Sequence, residues 1–359
     1  AMKGDSSVTT AQQNVAIGRQ ALFAATSAHT NVAVGYLAGN AVTTGERNVI
    51  MGHEAARYAN TMNYSTVIGN NAGTMLSGAS SVVIIGRNAG YHVSGNNNTF
   101  VGTNASLGGA SLGHAGEDSV AVGYNAMYYN STANYNVAVG TSALQGDSGG
   151  LTGDNNVAIG RQSLFSVSSA GSNVAIGMLA GYSQTTGDDN VFIGTSAGKA
   201  STTAAGNVAI GKDAMKIGAQ TSSNGGQNSV VGYGAYVDGT GQRNAILGYR
   251  AAYTSTSANS NVAIGYEAGQ KNTTGDSNVF IGNKAGPSST STESNKLYIH
   301  NNEGTPLIAG DFSAPSVTIN GTLDMPTNHG ITFDNTNNNN QWFISNRGSN
   351  AATLVFGIG

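Results

Sequence analysis

The sequence predicts an all-β protein, an elongated parallel β-roll, or β-solenoid, of about sixteen stacked turns. The first observation behind this is a pentapeptide. Asn14-Val-Ala-Ile-Gly18 recurs as Asn31–Gly35, Asn136–Gly140, Asn156–Gly160, Asn173–Gly177, Asn207–Gly211 and Asn261–Gly265, with looser copies between. The second is its period. Aligned on the last glycine there are sixteen copies, from Gly18 to Gly282, and ten of the fifteen spacings are 17 residues. A fixed short period denotes a solenoid, whose turns bury a core only by stacking on one another. The third is the want of any helical pattern: no 3.6-residue periodicity runs through the array, and its glycines recur faster than a helix tolerates.

Taken in order, residues 1–13 are a polar lead-in and residues 14–286 are the array. At roughly 4.8 Å per stacked strand, sixteen turns predict a rod of about 75 Å. The aligned glycine, as at Gly18, Gly35, Gly177 and Gly265, has two explanations. Either the backbone turns a corner at positive φ, or a neighbour leaves no room for a Cβ. Three residues later stands Ala in fifteen copies and Ser163 in the other, as a narrow interior requires. Four residues before the glycine stands Asn in thirteen copies, Asn14 and Asn173 among them. Stacked turn on turn, these amides predict a hydrogen-bonded ladder.

The strand itself is apolar on both faces. Val fills the position three before the glycine in twelve copies, and the position just before it is always aliphatic. Those two share one face; the residue between them takes the other, and it too is apolar. A strand apolar on both faces is buried on both. We expect the flanking Val and Ile to fill the roll and the middle residue to meet a second chain. On that reading Ala16, Ala33, Phe100, Ala175, Phe192 and Phe280 are the candidate subunit interface, and the protein is a homo-oligomer.

Three spacings are longer than the rest: 21 residues from Gly102 to Gly123, 20 from Gly140 to Gly160, and 21 from Gly211 to Gly232. Their extra residues are Gly-rich and predict surface loops, where solenoids often carry their working edge. Residues 14–62 and 156–204 are alike over several turns, which points to growth by block duplication. At 287–294 a Ser/Thr run reads as a linker. Residues 295–359 then form a C-terminal β region, with short strands expected at 297–300, 307–312, 316–320, 331–334, 342–345 and 354–358. It is too small to fold alone, which predicts interweaving among chains, with Trp342 in its core.

Composition excludes several functions. Only 9% of residues are charged and the net charge is −3, so nothing draws the chain to nucleic acid or to an anionic membrane. There is no cysteine, which removes disulfides, thiolate metal sites and cysteine nucleophiles. No apolar run reaches the length of a membrane span, so no membrane insertion is expected.

Catalytic signals are equally sparse. The six histidines show no ligand spacing, and each reads as a surface loop residue. Glu117-Asp118 and Asp188-Asp189 sit in turns, where adjacent side chains diverge, without a second acid for glycoside hydrolysis. No catalytic residue, metal site or cofactor is therefore expected, and the chain is read as a non-enzyme. Tyrosines are the exception. Tyr124, Tyr128, Tyr129 and Tyr135 cluster beside the first long loop; Tyr233, Tyr236, Tyr249, Tyr253 and Tyr266 cluster beside the third. A Tyr directly after the aligned glycine covers the roll corner. Tyr128, Tyr129 and Tyr236, together with His114 in the first loop, are the candidate ligand-binding residues, since exposed aromatics stack on sugars or dock proteins.

The unit Asn-Val-Ala-Ile-Gly-x-x-Ala resembles the head repeat of trimeric autotransporter adhesins. With Asn190-Val-Phe-Ile-Gly194, Asn278-Val-Phe-Ile-Gly282 and the Thr-Thr-Gly turns at 43–45, 185–187 and 273–275, it also resembles the repeat arrays of phage tail fibres. Asn295–His300, Pro306–Asp311 and Val317–Gly321 are similar to the segment that follows such arrays. The resemblance covers roughly residues 14–325. It implies a left-handed roll, three chains side by side, and location in a virion tail fibre. The implied role is rigid display of loops or a tip to a host surface glycan or protein receptor, with other fibre or tail proteins at the ends. The alternatives are a bacterial cell-surface adhesin or extracellular filament subunit and, less favoured, a polysaccharide depolymerase on the same architecture.

Overall fold

A computed structural model describes residues 10–108, 115–217, 226–302 and 304–323. Each repeat contributes one three-residue strand, from β1 (Val15–Ile17) to β16 (Val279–Ile281). Consecutive strands pair in parallel and in register, with Ala16 beside Ala33 and Ala175 beside Phe192. The register survives the long spacings: Phe100 still pairs with Ala121, and Ala209 with Val230. Backbone bonds run from turn to turn, as where the Gly35 N–H donates to the Ile17 carbonyl at 2.8 Å. The array is thus a β-solenoid with one turn per repeat, and its strands belong to a single 19-stranded sheet.

Both explanations of the aligned glycine hold at once. Its φ lies between 119° and 147° in every copy. A Cβ on Gly18 would stand 2.5 Å from the carbonyl oxygen of Gly35, the same glycine one turn on. Further corners of the turn are left-handed too, many of them at residues other than glycine, as at Gln20 (φ 58°), Leu22 (46°) and Thr30 (59°). Such residues cost free energy in isolation. Here the inter-turn hydrogen bonds hold them: the Leu22 N–H donates to Ala38 and the Thr30 N–H to Gln12.

The strand faces are the reverse of the sequence expectation. The middle residue points into the roll. Ala33, Phe100, Ala175, Phe192 and Phe280 are buried within the single chain, and Ala16 packs on the same core. They are not a surface that a second chain can reach. The flanking Val and Ile point outward instead, with Ile17 59% and Ile176 37% exposed. The physical reason is parity. The buried Asn and the middle residue stand two apart on one strand, so an inward Asn brings the middle residue in with it.

The inward Phe needs no partner chain because its own turn makes room. Where the middle residue is Ala, as in Ala121, Ala138, Ala158 and Ala209, the inward residue six positions later is Met127, Leu144, Leu164 or Met215. Where it is Ile84, Phe192 or Phe280, that residue is Gly90, Gly198 or Gly286. In a turn small at both places, Ala175 with Gly181, neighbours lean in: a Cβ on Gly181 would lie 2.8 Å from both Leu164 Cδ2 and Phe192 Cδ2. Neighbouring side chains thus fill the space that a small pair leaves, as close packing demands.

The amide ladder is present. Asn173 Nδ2 donates to Asn156 Oδ1 (3.1 Å) and to the Gly187 carbonyl (3.0 Å). Its Oδ1 accepts from the Asn190 backbone N–H and from Asn190 Nδ2, each at 3.0 Å. Every lone pair and proton of the side chain is used, which is what allows an amide to be fully buried. A shallower ladder runs beside it, where Asn134 Oδ1 accepts from Glu117 N–H and Asp154 Oδ1 from Asn134 N–H.

The segment 287–294, expected as a linker, is the loop of one more turn. Ser291 bridges to Asn272, and the Lys296 N–H donates to Asn278 Oδ1, continuing the ladder. β17 (Lys296–Ile299) then pairs in parallel with β16, setting Leu297 beside Val279. His300 stands where the glycine would be, and its N–H donates to Ile281. From there the sheet turns antiparallel through β18 (Ile308–Asp311) and β19 (Ser316–Ile319). The strands expected at 331–334, 342–345 and 354–358, and Trp342, lie outside the described residues. Among the described residues there is no helix, hence none long and apolar enough to cross a membrane.

Candidate binding groove

Two features of the surface interrupt the regular column of side chains, and both adjoin a long spacing. The first is an aromatic groove of about 440 Å³ lined by Asn88, Tyr91, His92, Leu107, Gly108, Tyr128 and Tyr129. It crosses three turns. One wall is the corner of the Gly86 turn, carrying Tyr91 and His92, whose rings are 5.0 Å apart and tilted by 51°. The other is the corner of the Gly123 turn, where the Tyr128 and Tyr129 rings meet edge to face at 4.7 Å. Between them the Gly102 turn offers only Leu107 and Gly108, so the floor drops. Backbone bonds fix this relief: the His92 N–H donates to Leu107 at 3.4 Å and the Gly108 N–H to Tyr128 at 3.1 Å.

The groove is chemically neutral and mainly apolar. Its polar atoms are the Tyr hydroxyls, the imidazole and the Asn88 amide, which already donates to Asn104 at 3.2 Å. Partial burial, with Tyr129 and Tyr124 nearby, raises the Tyr128 phenol above its ordinary range. It therefore stays a neutral donor at physiological pH. Edge-to-face packing leaves ring area open, which is what an apolar sugar face or a protein side chain needs.

A second aromatic feature differs. Tyr233, Tyr249 and Tyr266 stack along the turns, ring centres 5.5 and 5.3 Å apart and nearly parallel. Lys212 lies over the Tyr233 ring at 5.5 Å. These rings are exposed, yet their faces are taken by one another, so they present edges and hydroxyls only. Tyr36 and Tyr124 stand in the same column on other turns and are exposed as well. The expectation that this column covers the roll corner is met in position, with stacking between turns as the addition.

Of the residues singled out from sequence, Tyr128 and Tyr129 come together in the groove. Tyr236 does not join them. It is buried in the roll, where its hydroxyl donates to the Ala258 carbonyl (3.1 Å) and accepts from Asn244 Nδ2 (3.0 Å). It takes the interior place that Leu144 and Leu164 take elsewhere, so it cannot meet a ligand. His114 lies outside the described residues. Sequence reasoning missed Tyr91 and His92. Their signal was available: Tyr91 stands five residues after Gly86 and Tyr128 five after Gly123, so the two share a column. Among the described residues no group of three His, Asp or Glu converges as a metal site would require. No family model, curated protein or solved structure matches the chain.

Proposed function

We propose that the protein is a structural and adhesive fibre, a homotrimer that holds surface grooves rigidly against a host-surface glycan or protein receptor, in the manner of a phage tail fibre. The observation that carries this reading is the outer face of the sheet. The column just before the aligned glycine, with Ile17, Met51, Ile85, Val122, Ile159, Ile176, Val231, Leu247, Ile264 and Ile281, carries apolar side chains more than a third exposed from the first turn to the last, and Val15 and Val32 of the column two residues earlier join it at the start of the array. Contiguous apolar surface on that scale marks an interface. An apolar face repeated from turn to turn suits another copy of the same face, and closed cyclic assembly is the usual outcome. Assembly would place three aromatic grooves at one level of the rod, so that weak contacts gain by avidity.

Light scattering tests the assembly, with a mass of three chains expected. A stable monomer overturns the fibre reading. Binding to a glycan array and to intact candidate host cells tests the display role. Loss of signal in a Tyr91→Ala, Tyr128→Ala double variant that keeps its mass would place the contact in the groove.

A further inference from the structure

The second groove, about 340 Å³ in volume, differs in kind from the aromatic one. It is lined by Asp213, Lys216 and Ile217 from one turn, Gly234 and Val237 from the next, and Tyr249, Arg250 and Tyr253 from the third. Arg250 is the residue to explain. Its guanidinium lies over the Tyr253 ring at 4.2 Å, and its Nε is buried without a hydrogen-bond partner. Among the described residues no carboxylate stands within ion-pairing distance of it. Glu267, one turn on, is engaged by Lys284 at 3.9 Å. On the opposite wall Lys216 is paired with Asp213 at 3.1 Å, while Lys212 lies over the face of Tyr233. The groove and its rim thus hold three cations against one carboxylate, in a chain of net charge −3.

Gly234 opens this space, and nothing in the backbone demands a glycine there. Its φ is +58°, yet the same position, two after the aligned glycine, is filled by Asn71, Asn88, Asn104 and Asn125 at φ 55–57° in other turns. A Cβ on Gly234 would meet Arg250 Cγ only at 3.6 Å and Tyr253 Cδ2 at 3.9 Å, ordinary contact distances. It is the one glycine in this column, where the other fifteen copies carry a side chain. Its effect is to leave a notch between the Asp213 and Arg250 turns.

We propose that this notch binds a saccharide unit bearing a carboxylate, with the Arg250 guanidinium taking the carboxylate, Ile217 and Tyr253 taking the sugar body, and Tyr249 offering its edge and hydroxyl. A planar guanidinium matches a carboxylate through paired hydrogen bonds. Unpaired charge in a partly buried site is costly, so the empty notch favours an anion. The aromatic and aliphatic walls favour a ring over a bare ion.

The test is calorimetric titration of the assembled full chain with trigalacturonic acid, with maltotriose and with inorganic phosphate, at low and high salt. The expected result is binding of trigalacturonic acid that weakens with salt, with maltotriose at least tenfold weaker. Arg250→Gln should reduce the affinity at least tenfold, and Arg250→Lys should lose less. Gly234→Asn, which copies a residue the column already carries, should reduce it similarly while leaving mass and thermal midpoint unchanged. Equal binding of the neutral sugar, no binding of trigalacturonic acid, or indifference to both substitutions overturns the proposal. Phosphate binding as tight as that of the sugar acid overturns its saccharide part. The Tyr91→Ala, Tyr128→Ala variant should leave this binding untouched, so the two grooves fail or stand separately.

Discussion

The ring of Phe192 occupies the space that Gly198 leaves empty: a Cβ added to Gly198 would fall on the ring itself. The two residues share one turn and divide one volume between them. In the next turn Ala209 and Met215 divide the same volume the other way.

Phe192→Ala alone should therefore destabilise the array by about 3–5 kcal/mol through the cavity it leaves. Gly198→Leu alone should also be harmful, by overpacking. The double variant should recover most of the loss, because Leu144 and Leu164 occupy this place at φ near 45° beside an Ala. Denaturant unfolding in a double-mutant cycle checks this. Additive losses would refute the shared volume.

Ser106 is buried beside Phe100, and its Oγ has no hydrogen-bond partner. Ala56 and Ala252 hold the same place at a similar φ. Ser106→Ala should raise stability by about 1 kcal/mol, since an unsatisfied buried hydroxyl costs at least that. A rise in the thermal midpoint checks it, and a fall would show that the hydroxyl is satisfied.

Asn173→Ala should cost about 2–4 kcal/mol, because it strands the Asn190 N–H and amide as well as the Gly187 carbonyl. Asn173→Ser should cost less. Ser65 and Ser119 stand in the same column, and Ser65 Oγ still accepts from the next turn, from the Val82 N–H at 3.3 Å. Amide hydrogen exchange should locate the loss in the turns on either side of residue 173.

Ile176→Asp, on the outer face, should lower the assembled mass while leaving the far-ultraviolet spectrum of the roll in place. Ala175→Phe, one residue away but inside, should do the reverse and damage the fold first. Light scattering and circular dichroism of the two variants separate the faces.

Lys296 bonds Asp311 across β17 and β18 at 2.7 Å. Lys296, then the Ser313 hydroxyl and N–H, hold the Asp311 carboxyl well below the usual carboxylate range. A depressed folded-state value means that the contribution to stability is present above the ordinary carboxylate value. It is lost only as pH falls through the lowered one. The antiparallel pairing should therefore persist below pH 4 in the native chain, whereas in Asp311→Asn, which has no carboxyl to titrate, it should be weaker already at neutral pH. Cross-strand NMR contacts between Tyr298 and Ala309 report it.

Much of this was legible in the sequence, because a repeat states its own register. The strand, the glycine ladder and the amide ladder each follow from one column of the alignment. The direction of the strand was also written there, in the two-residue step from Asn173 to Ala175, but apolar residues on both faces hid it. Phe192 looked like a demand for a neighbouring chain because its counterpart Gly198 lies six residues away in another part of the turn. The aromatic groove was half legible. Tyr128 and Tyr129 stand by a loop, whereas Tyr91 and His92 join them only when columns two turns apart are compared. Tyr236 misled because it stands among exposed tyrosines in the chain, while its own place in the turn points inward.

The register that survives a 21-residue spacing has a hereditary consequence. A crossover between any two Asn-Val-Ala-Ile-Gly stretches joins rungs that already match, so the gene can lengthen, shorten or exchange whole turns without a frameless intermediate protein. Only the shared volumes constrain such recombination: Phe192, which reaches into the space above Gly181, must travel with its neighbour. Loops and grooves can thus be traded between arrays while the scaffold that carries them is inherited intact.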